Sequence, residues 1–165
     1  MEIQIRKAEQ RDLEELLDIY NYEVRNGVAT LDLQLKTIEE WQVWFDAHNK
    51  ENHPLYVAVK DGCVAGYVSL SPYREKEAYR STVELSVYVG AGFRRQGIAA
   101  ALMDFILNEA RKDSTIHNVV SVITSGNEAS CRLHDRFGFR FCGTIPEVGM
   151  KFGRMLSIDN YSLLV

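Results

Sequence analysis

Six consecutive residues, Arg94-Arg95-Gln96-Gly97-Ile98-Ala99, have the types and the spacing to hold an anion. They lie between an alternating apolar run that ends at Val89 and a helical run that starts at Gly97, so a glycine-containing turn opens directly into a helix. The first N–H groups of a helix have no acceptor inside it, and the helix dipole puts partial positive charge at the same point. A phosphate or diphosphate suits such a turn. The spacing is neither Gly-x-x-x-x-Gly-Lys-Ser/Thr nor Gly-x-Gly-x-x-Gly, which counts against a nucleoside triphosphate and a dinucleotide. Taken alone, the six residues are equally compatible with a solvated helix start.

Two further clusters carry chemistry. Val83, Leu85, Val87 and Val89 alternate with Glu84, Ser86 and Tyr88, which gives a strand one apolar and one polar face. On a central strand the carboxylate needs water or a partner, because an unpaired buried charge is expensive. A cleft supplies that need, as does a solvated face or a pairing of Glu84 with Arg80. In a cleft, Glu84 suits a general base that takes a proton from an ammonium substrate, directly or through water. Downstream, Asn127 heads a helical run and His134 lies about two turns further along nearly the same face. Histidine titrates near neutral pH, which suits proton transfer, although a lone helical histidine also serves as a structural residue and Asn127 as a plain N-cap.

Composition bounds the rest. At 165 residues the chain fits one domain, 1–165, with a single substantial core. The net charge of −4, with Lys and Arg scattered, offers no basic face for nucleic acid. Apolar runs fall far short of a membrane span, and the N-terminus lacks the pattern of a secretory leader, so a soluble cytoplasmic protein is expected. The 3 cysteines, Cys63, Cys131 and Cys142, are expected to be reduced and mostly buried, because they form no Cys-x-x-Cys pair. The 4 histidines are far apart, which leaves a metal site without support.

The elements that position these residues can be read from periodicity. Residues 3–6 alternate as a strand, and Leu13, Leu16, Leu17 and Tyr20 recur at helical spacing over 10–23. Thr37-Ile38-Glu39-Glu40 has capping-box form and predicts a second helix to about His48, with Ile38, Trp41 and Phe45 inward. Between these helices, 25–36 has no period, and a loop of that length is often functional. Asp61-Gly62 between two apolar runs predicts a hairpin. A charged connector over 71–81 leads to the strand 83–89, then a helix over 97–112 with Ile98, Ala101, Leu102, Phe105 and Ile106 on one stripe. The apolar run 119–123 reads as a strand covered on both faces. Asn127 caps a fourth helix that Gly138 ends, and two strands close the chain near 140–147 and 155–164. The order βααβββαβαββ predicts an α/β (α+β) fold: one mixed, mostly antiparallel sheet of about seven strands flanked by four helices.

The run Arg94 to Ala99 after a strand resembles the pyrophosphate-binding motif of the GNAT acyltransferase superfamily. Asn127 heading a helix that ends in Phe137-Gly138-Phe139 is similar to that superfamily's second signature, and the element order matches its fold. More narrowly, Val83-Glu84-Leu85-Ser86-Val87-Tyr88-Val89, Ser130-Cys131-Arg132-Leu133-His134 and Gly149-Met150-Lys151-Phe152-Gly153 resemble phosphinothricin and methionine sulfoximine N-acetyltransferases along nearly the whole chain. The resemblance implies acetyl-CoA as co-substrate, no metal, a small amino-acid-like amine as acceptor, and a homodimer. It implies Glu84 and His134 as the catalytic pair, with His134 where many GNAT enzymes carry a Tyr that protonates the departing thiolate. It assigns coenzyme A to Ser86, Val87, Tyr88, Val89, Arg94, Arg95, Gln96, Gly97, Ile98, Ala99, Asn127 and Ser130. Acceptor contacts fall on Leu31, Tyr73, Arg74 and Lys76, where Leu31 replaces the usual Phe and Lys76 a common second Arg. Arg74 can grip a carboxylate with two prongs and Lys76 cannot, and both are also ordinary loop charges. No cysteine or serine stands in a recognisable activated-nucleophile pattern, which favours direct attack of the amine on the thioester. Other readings are acetylation of an aminoglycoside, a polyamine or a peptide N-terminus, or a non-catalytic acyl-CoA-binding module.

Overall fold

The computed structural model describes residues 2–165. Its elements follow the expected order: β1 (Gln4–Lys7), α1 (Leu13–Asn26), α2 (Ile38–Asp46), β2 (Leu55–Lys60), β3 (Cys63–Pro72), β4 (Thr82–Val89), α3 (Ile98–Lys112), β5 (Asn118–Thr124), α4 (Glu128–Arg136), β6 (Arg140–Lys151) and β7 (Arg154–Leu164). Local chemistry fixes most boundaries. Thr37 and Glu40 form the capping box of α2, and the Asn127 side chain accepts from the Ser130 N–H to cap α4. Asp61 (φ 53°) and Gly62 (φ 77°) both take the left-handed conformation that a two-residue hairpin between β2 and β3 requires.

The strands form a 7-stranded sheet in the order β1-β2-β3-β4-β5-β7-β6, antiparallel except where β4 meets β5. That parallel pair is short. It joins Thr82 to Asn118, Val83 to Val119 and Glu84 to Val120, and then the strands part. β4 continues along β3 to Val89, and β5 continues along β7 to Thr124. The sheet therefore opens as a wedge.

Each face of the sheet has its own core. Val83 and Leu85 pack with Ile98, Leu102, Ile106 and Leu107 of α3 on one side, and Leu55, Val57 and Tyr67 pack with Leu13, Leu16 and Trp41 of α1 and α2 on the other. Among the described residues no helix is long and apolar enough to cross a membrane.

Three expectations need correction. Ile38 faces outward, because as the first residue of α2 it precedes the turn that packs, and Trp41 takes the buried position. β5 is covered only in part on one face: Val122 is 39% exposed, because β4 has already diverged at its level, while Thr124 on the same face is buried. Cys63 and Cys142 are exposed and Cys131 half-buried, since the first opens β3 at the hairpin and the second lies on the edge strand.

The aperiodic stretch 27–36 is pinned at many points. Thr124 Oγ1 donates to the Val28 carbonyl at 2.6 Å, and the Asn21 side chain exchanges hydrogen bonds with the Lys36 backbone at 2.9 and 3.0 Å. Lys151, only 3% exposed, donates from Nζ to the Thr30 carbonyl at 2.9 Å and to the Glu23 carbonyl at 3.4 Å. Leaving buried acceptors unpaired costs about 1–3 kcal/mol. Lys151→Met is expected to lower the unfolding free energy by about that amount in urea titrations. An unchanged midpoint would show that the clamp carries no stability.

Candidate active site

Alternation along β4 sends Glu84, Ser86 and Tyr88 to the α1–α2 side, where they line a cleft of about 590 Å³. The cleft walls come from Tyr20 of α1, Trp41 and Trp44 of α2, Tyr67 of β3, and Leu31 and Asp32 of the pinned loop. Glu84 has no ion pair or side-chain hydrogen bond among the described residues, and burial pushes its carboxyl above the usual glutamate value. The alternative pairing with Arg80 does not form. Arg80 lines a different cavity, and its carbonyl accepts from Asn52 at 3.0 Å.

The wedge supplies main-chain groups. The Gly90 N–H donates to the Ala65 carbonyl at 2.8 Å, on the β3 side. By the two-residue alternation of an antiparallel ladder, the amides and carbonyls of Val87 and Val89 then point to the opposite edge, from which β5 has withdrawn.

Beyond Val89 the chain makes the expected turn. Arg94 is extended, Arg95 (φ 61°) and Gly97 (φ 77°) are left-handed, and no side chain caps the start of α3. A Cβ built on Gly97 meets nothing within 4 Å, so the glycine is needed for its backbone angle and the space over the helix start is open. The N–H groups from Gln96 to Ala99 therefore fit a diphosphate. The neighbouring side chains are less committed to it. The Arg94 guanidinium pairs with Glu23 and lies over the Tyr22 ring at 5.6 Å, and the Gln96 side-chain oxygen accepts from Lys60. Arg95 has no ion pair among the described residues.

On the other side of the wedge a cavity of about 80 Å³ brings together Ser86, Val87 and Tyr88 with Asn127, Ser130 and His134. His134 does not sit open to it. The ring is 1% exposed and both nitrogens are engaged: Nδ1–H donates to the Ser130 carbonyl and Nε2 meets Ser121 Oγ, each at 2.7 Å. Burial lowers the affinity of this imidazole for a second proton. The sequence pattern did not bring Ser121 and His134 together; the structure does. They are far apart in sequence and meet only because α4 folds back over β5. A similar pattern ties the end of α2 to β3, with His48 held by the Trp44 carbonyl at 2.7 Å and Ser71 Oγ at 2.8 Å.

Of the expected acceptor contacts, Leu31 lines the Glu84 cleft, and Tyr73, Arg74 and Lys76 do not. β3 ends at Pro72 and the chain turns away, so Tyr73 and Arg74 line a separate cavity of about 760 Å³. There the Arg74 guanidinium lies 5.0 Å from the Tyr73 ring centre and 5.8 Å from that of Tyr79, while Lys76 caps the short turn Glu77–Tyr79. The cation in the Glu84 cleft is Lys36, 3.8 Å from Asp32 and 4.0 Å from Glu40. Lys36 precedes the capping box, which was the one signal that could have drawn attention to it. Among the described residues no group of His, Cys, Asp or Glu could hold a metal ion.

Residues 13–139 match the Acetyltransferase (GNAT) family. The chain is 39% identical to a phosphinothricin N-acetyltransferase of Streptomyces coelicolor, over 97% of this chain and 95% of that protein. It is 40% identical to an L-methionine sulfoximine/L-methionine sulfone acetyltransferase of Pseudomonas paraeruginosa, over 96% and 92%. Its fold is similar, at TM-score 0.94 and 29% identity, to a GNAT superfamily phosphinothricin acetyltransferase of Sinorhizobium meliloti solved in complex with AcCoA, covering 100% of this chain and 89% of that one.

The unpaired carboxyl has a consequence for stability. Because the folded state holds the Glu84 proton more tightly than the unfolded chain, ionisation weakens the fold as pH rises above the unfolded value. Glu84→Gln is expected to raise the melting temperature at neutral pH and to lose that advantage below about pH 4, where the carboxyl is protonated in both states. A variant that melts below the parent at pH 7 would reveal a hidden partner for Glu84.

Proposed function

The chain belongs to the GNAT acetyltransferase family and is an acetyl-CoA-dependent N-acetyltransferase; from this premise we propose that its acceptor is the primary amine of a small amino-acid-like molecule of the phosphinothricin, methionine sulfoximine or methionine sulfone type, acetylated directly with both substrates bound. The observation that carries the reading is the solitary Glu84 carboxyl, in a cleft at the point where the sheet opens. Residues 94–99 hold the diphosphate of acetyl-CoA with their N–H groups, and the free edge at Val87 and Val89 holds the pantetheine arm, with Asn127 and Ser130 at the far side of the gap. Acetyl-CoA supplies the acetyl group as a thioester.

Glu84 takes a proton from the acceptor's ammonium group, and a raised carboxyl pKa suits that base. The Val87 N–H faces the developing oxyanion, and such a donor is worth about 3–4 kcal/mol. His134 returns a proton to the departing sulfur. Lys36 stands where an acceptor carboxylate can meet it, and the rings of Trp41, Trp44 and Tyr67 cover the acceptor's apolar part. Arg74 and Lys76 serve a carboxylate only if the connector 73–81 folds toward the cleft.

A second copy of the chain covers the outer edge of the sheet. β6 is the last strand in the order and shows Phe141, Ile145 and Met150 to solvent, Met150 being 62% exposed, with Phe152 exposed in the turn that follows it. An apolar edge of this kind is a ready template for pairing.

The acceptor reading predicts that methionine sulfoximine accelerates release of free thiol from acetyl-CoA more than a polyamine, an aminoglycoside or a peptide amine does. Equal rates with all amines would remove the amino-acid assignment. Glu84→Gln is expected to cut turnover by about a hundred-fold or more. An unaltered rate would mean another base. For the assembly, sedimentation should give a dimer for the parent chain and a monomer for Met150→Glu, and two dimers would place the interface elsewhere.

A further inference from the structure

We infer that Ser121 is the group through which His134 reaches the reacting atoms, so that the two residues work as one proton shuttle. The inference rests on the N-acetyltransferase reading above and adds a residue that the motifs do not bring forward.

The geometry leaves His134 little choice. Its Nδ1 faces the Ser130 carbonyl, which only accepts, so Nδ1 carries the proton and Nε2 of the neutral ring is bare. Nε2 is therefore the acceptor of the Ser121 hydroxyl proton. Ser121 and His134 line the same small cavity as Ser86 and Val87, on the gap between β4 and β5. Ser121 Oγ, the hydrogen-bond partner of Nε2, is the group that hands a proton between Nε2 and that gap. The pair is well isolated. From α4 it meets Asp135, whose charge raises the imidazole's proton affinity less than burial lowers it. From β7 it meets the Tyr161 ring at 5.7 Å, with Cys131 beside that hydroxyl, and Phe139 adds an apolar ring at 4.8 Å. A resting neutral imidazole follows.

The shuttle then balances. After Glu84 has taken the first proton, the amine nitrogen bonds to the thioester carbon and becomes cationic, while the carbonyl oxygen becomes anionic. One N–H proton passes to Ser121 Oγ as the Ser121 proton passes to His134 Nε2. The C–S bond breaks with its electron pair on sulfur, the oxygen re-forms its double bond to carbon, His134 Nε2–H returns a proton to Oγ, and Oγ–H gives one to sulfur. One proton has moved from nitrogen to sulfur, Glu84 releases the other to water, and Glu84, Ser121 and His134 are as they began.

In this scheme both Glu84 and His134 must start unprotonated, so the acidic limb of log kcat/KM has a slope of about two in the parent enzyme. Ser121→Ala is expected to lower kcat by about a hundred-fold, to leave coenzyme A affinity unchanged, and to reduce that slope to about one. Ser121→Thr, which keeps the hydroxyl, should recover most of kcat and the steeper slope. The shuttle is overturned if Ser121→Ala keeps the parental kcat and slope, or if Ser121→Thr is as slow as Ser121→Ala with the melting temperature of the parent. It is overturned too if mass spectrometry finds an acetyl group on Ser121 after mixing with acetyl-CoA alone, since the serine would then be a nucleophile. Absence of amine-dependent thiol release from the parent chain would instead sink the N-acetyltransferase reading and is measured first.

Discussion

The parting of β4 from β5 after three paired residues is the constraint on which the site depends. A strand inside a sheet normally satisfies its polar backbone on both edges, and an unpaired edge must meet water or a ligand. β4 is held by β3 along its whole length and β5 by β7, so neither can close the gap. The gap exposes the backbone of Val87 and Val89 where the start of α3 aims its own unpaired N–H groups nearby. In the proposed function these two sets of main-chain donors, neither needing a particular side chain, form the track from diphosphate to thioester.

In the proposed mechanism the opening also lets the two faces of the sheet take part in one reaction. Glu84 reaches the gap from the α1–α2 side, and Ser121 with His134 from the side of α4. Burial acts on the two titrating groups in opposite directions. It raises the carboxyl and lowers the imidazole, because in both cases the charged form loses hydration. The outcome is an accessible carboxyl of raised basicity on one face and a neutral imidazole, shielded by a hydroxyl, on the other.

The wall of the Glu84 cleft proposed to face the acceptor includes a segment with no secondary structure of its own. Residues 27–36 keep their shape because Thr124, Asn21 and the buried Lys151 engage their backbone, and Tyr20 binds both Thr30 and Asp32. Glu23 links this loop to the turn at the start of α3: its carbonyl accepts from Lys151, and its carboxylate pairs with Arg94. The loop and the turn proposed to hold the two substrates thus share one residue of α1.

What could be read from the sequence was what short-range physics decides. Capping by Thr37 and Asn127, the left-handed pair Asp61-Gly62, the alternation that sorts Glu84 from Val83, and the turn at Gly97 each depend on a few neighbouring residues, and they gave the element order and the main site candidates. Tertiary structure decided what depends on distant segments meeting. The displacement of Arg74 follows from where β3 ends at Pro72, and the meeting of Ser121 with His134, the entry of Lys36 into the cleft and the exposure of Val122 follow from where β5 leaves β4 and how α4 and the loop pack on the result. No local pattern records that divergence, because it is a property of two strands separated by a whole helix, each held by a different neighbour.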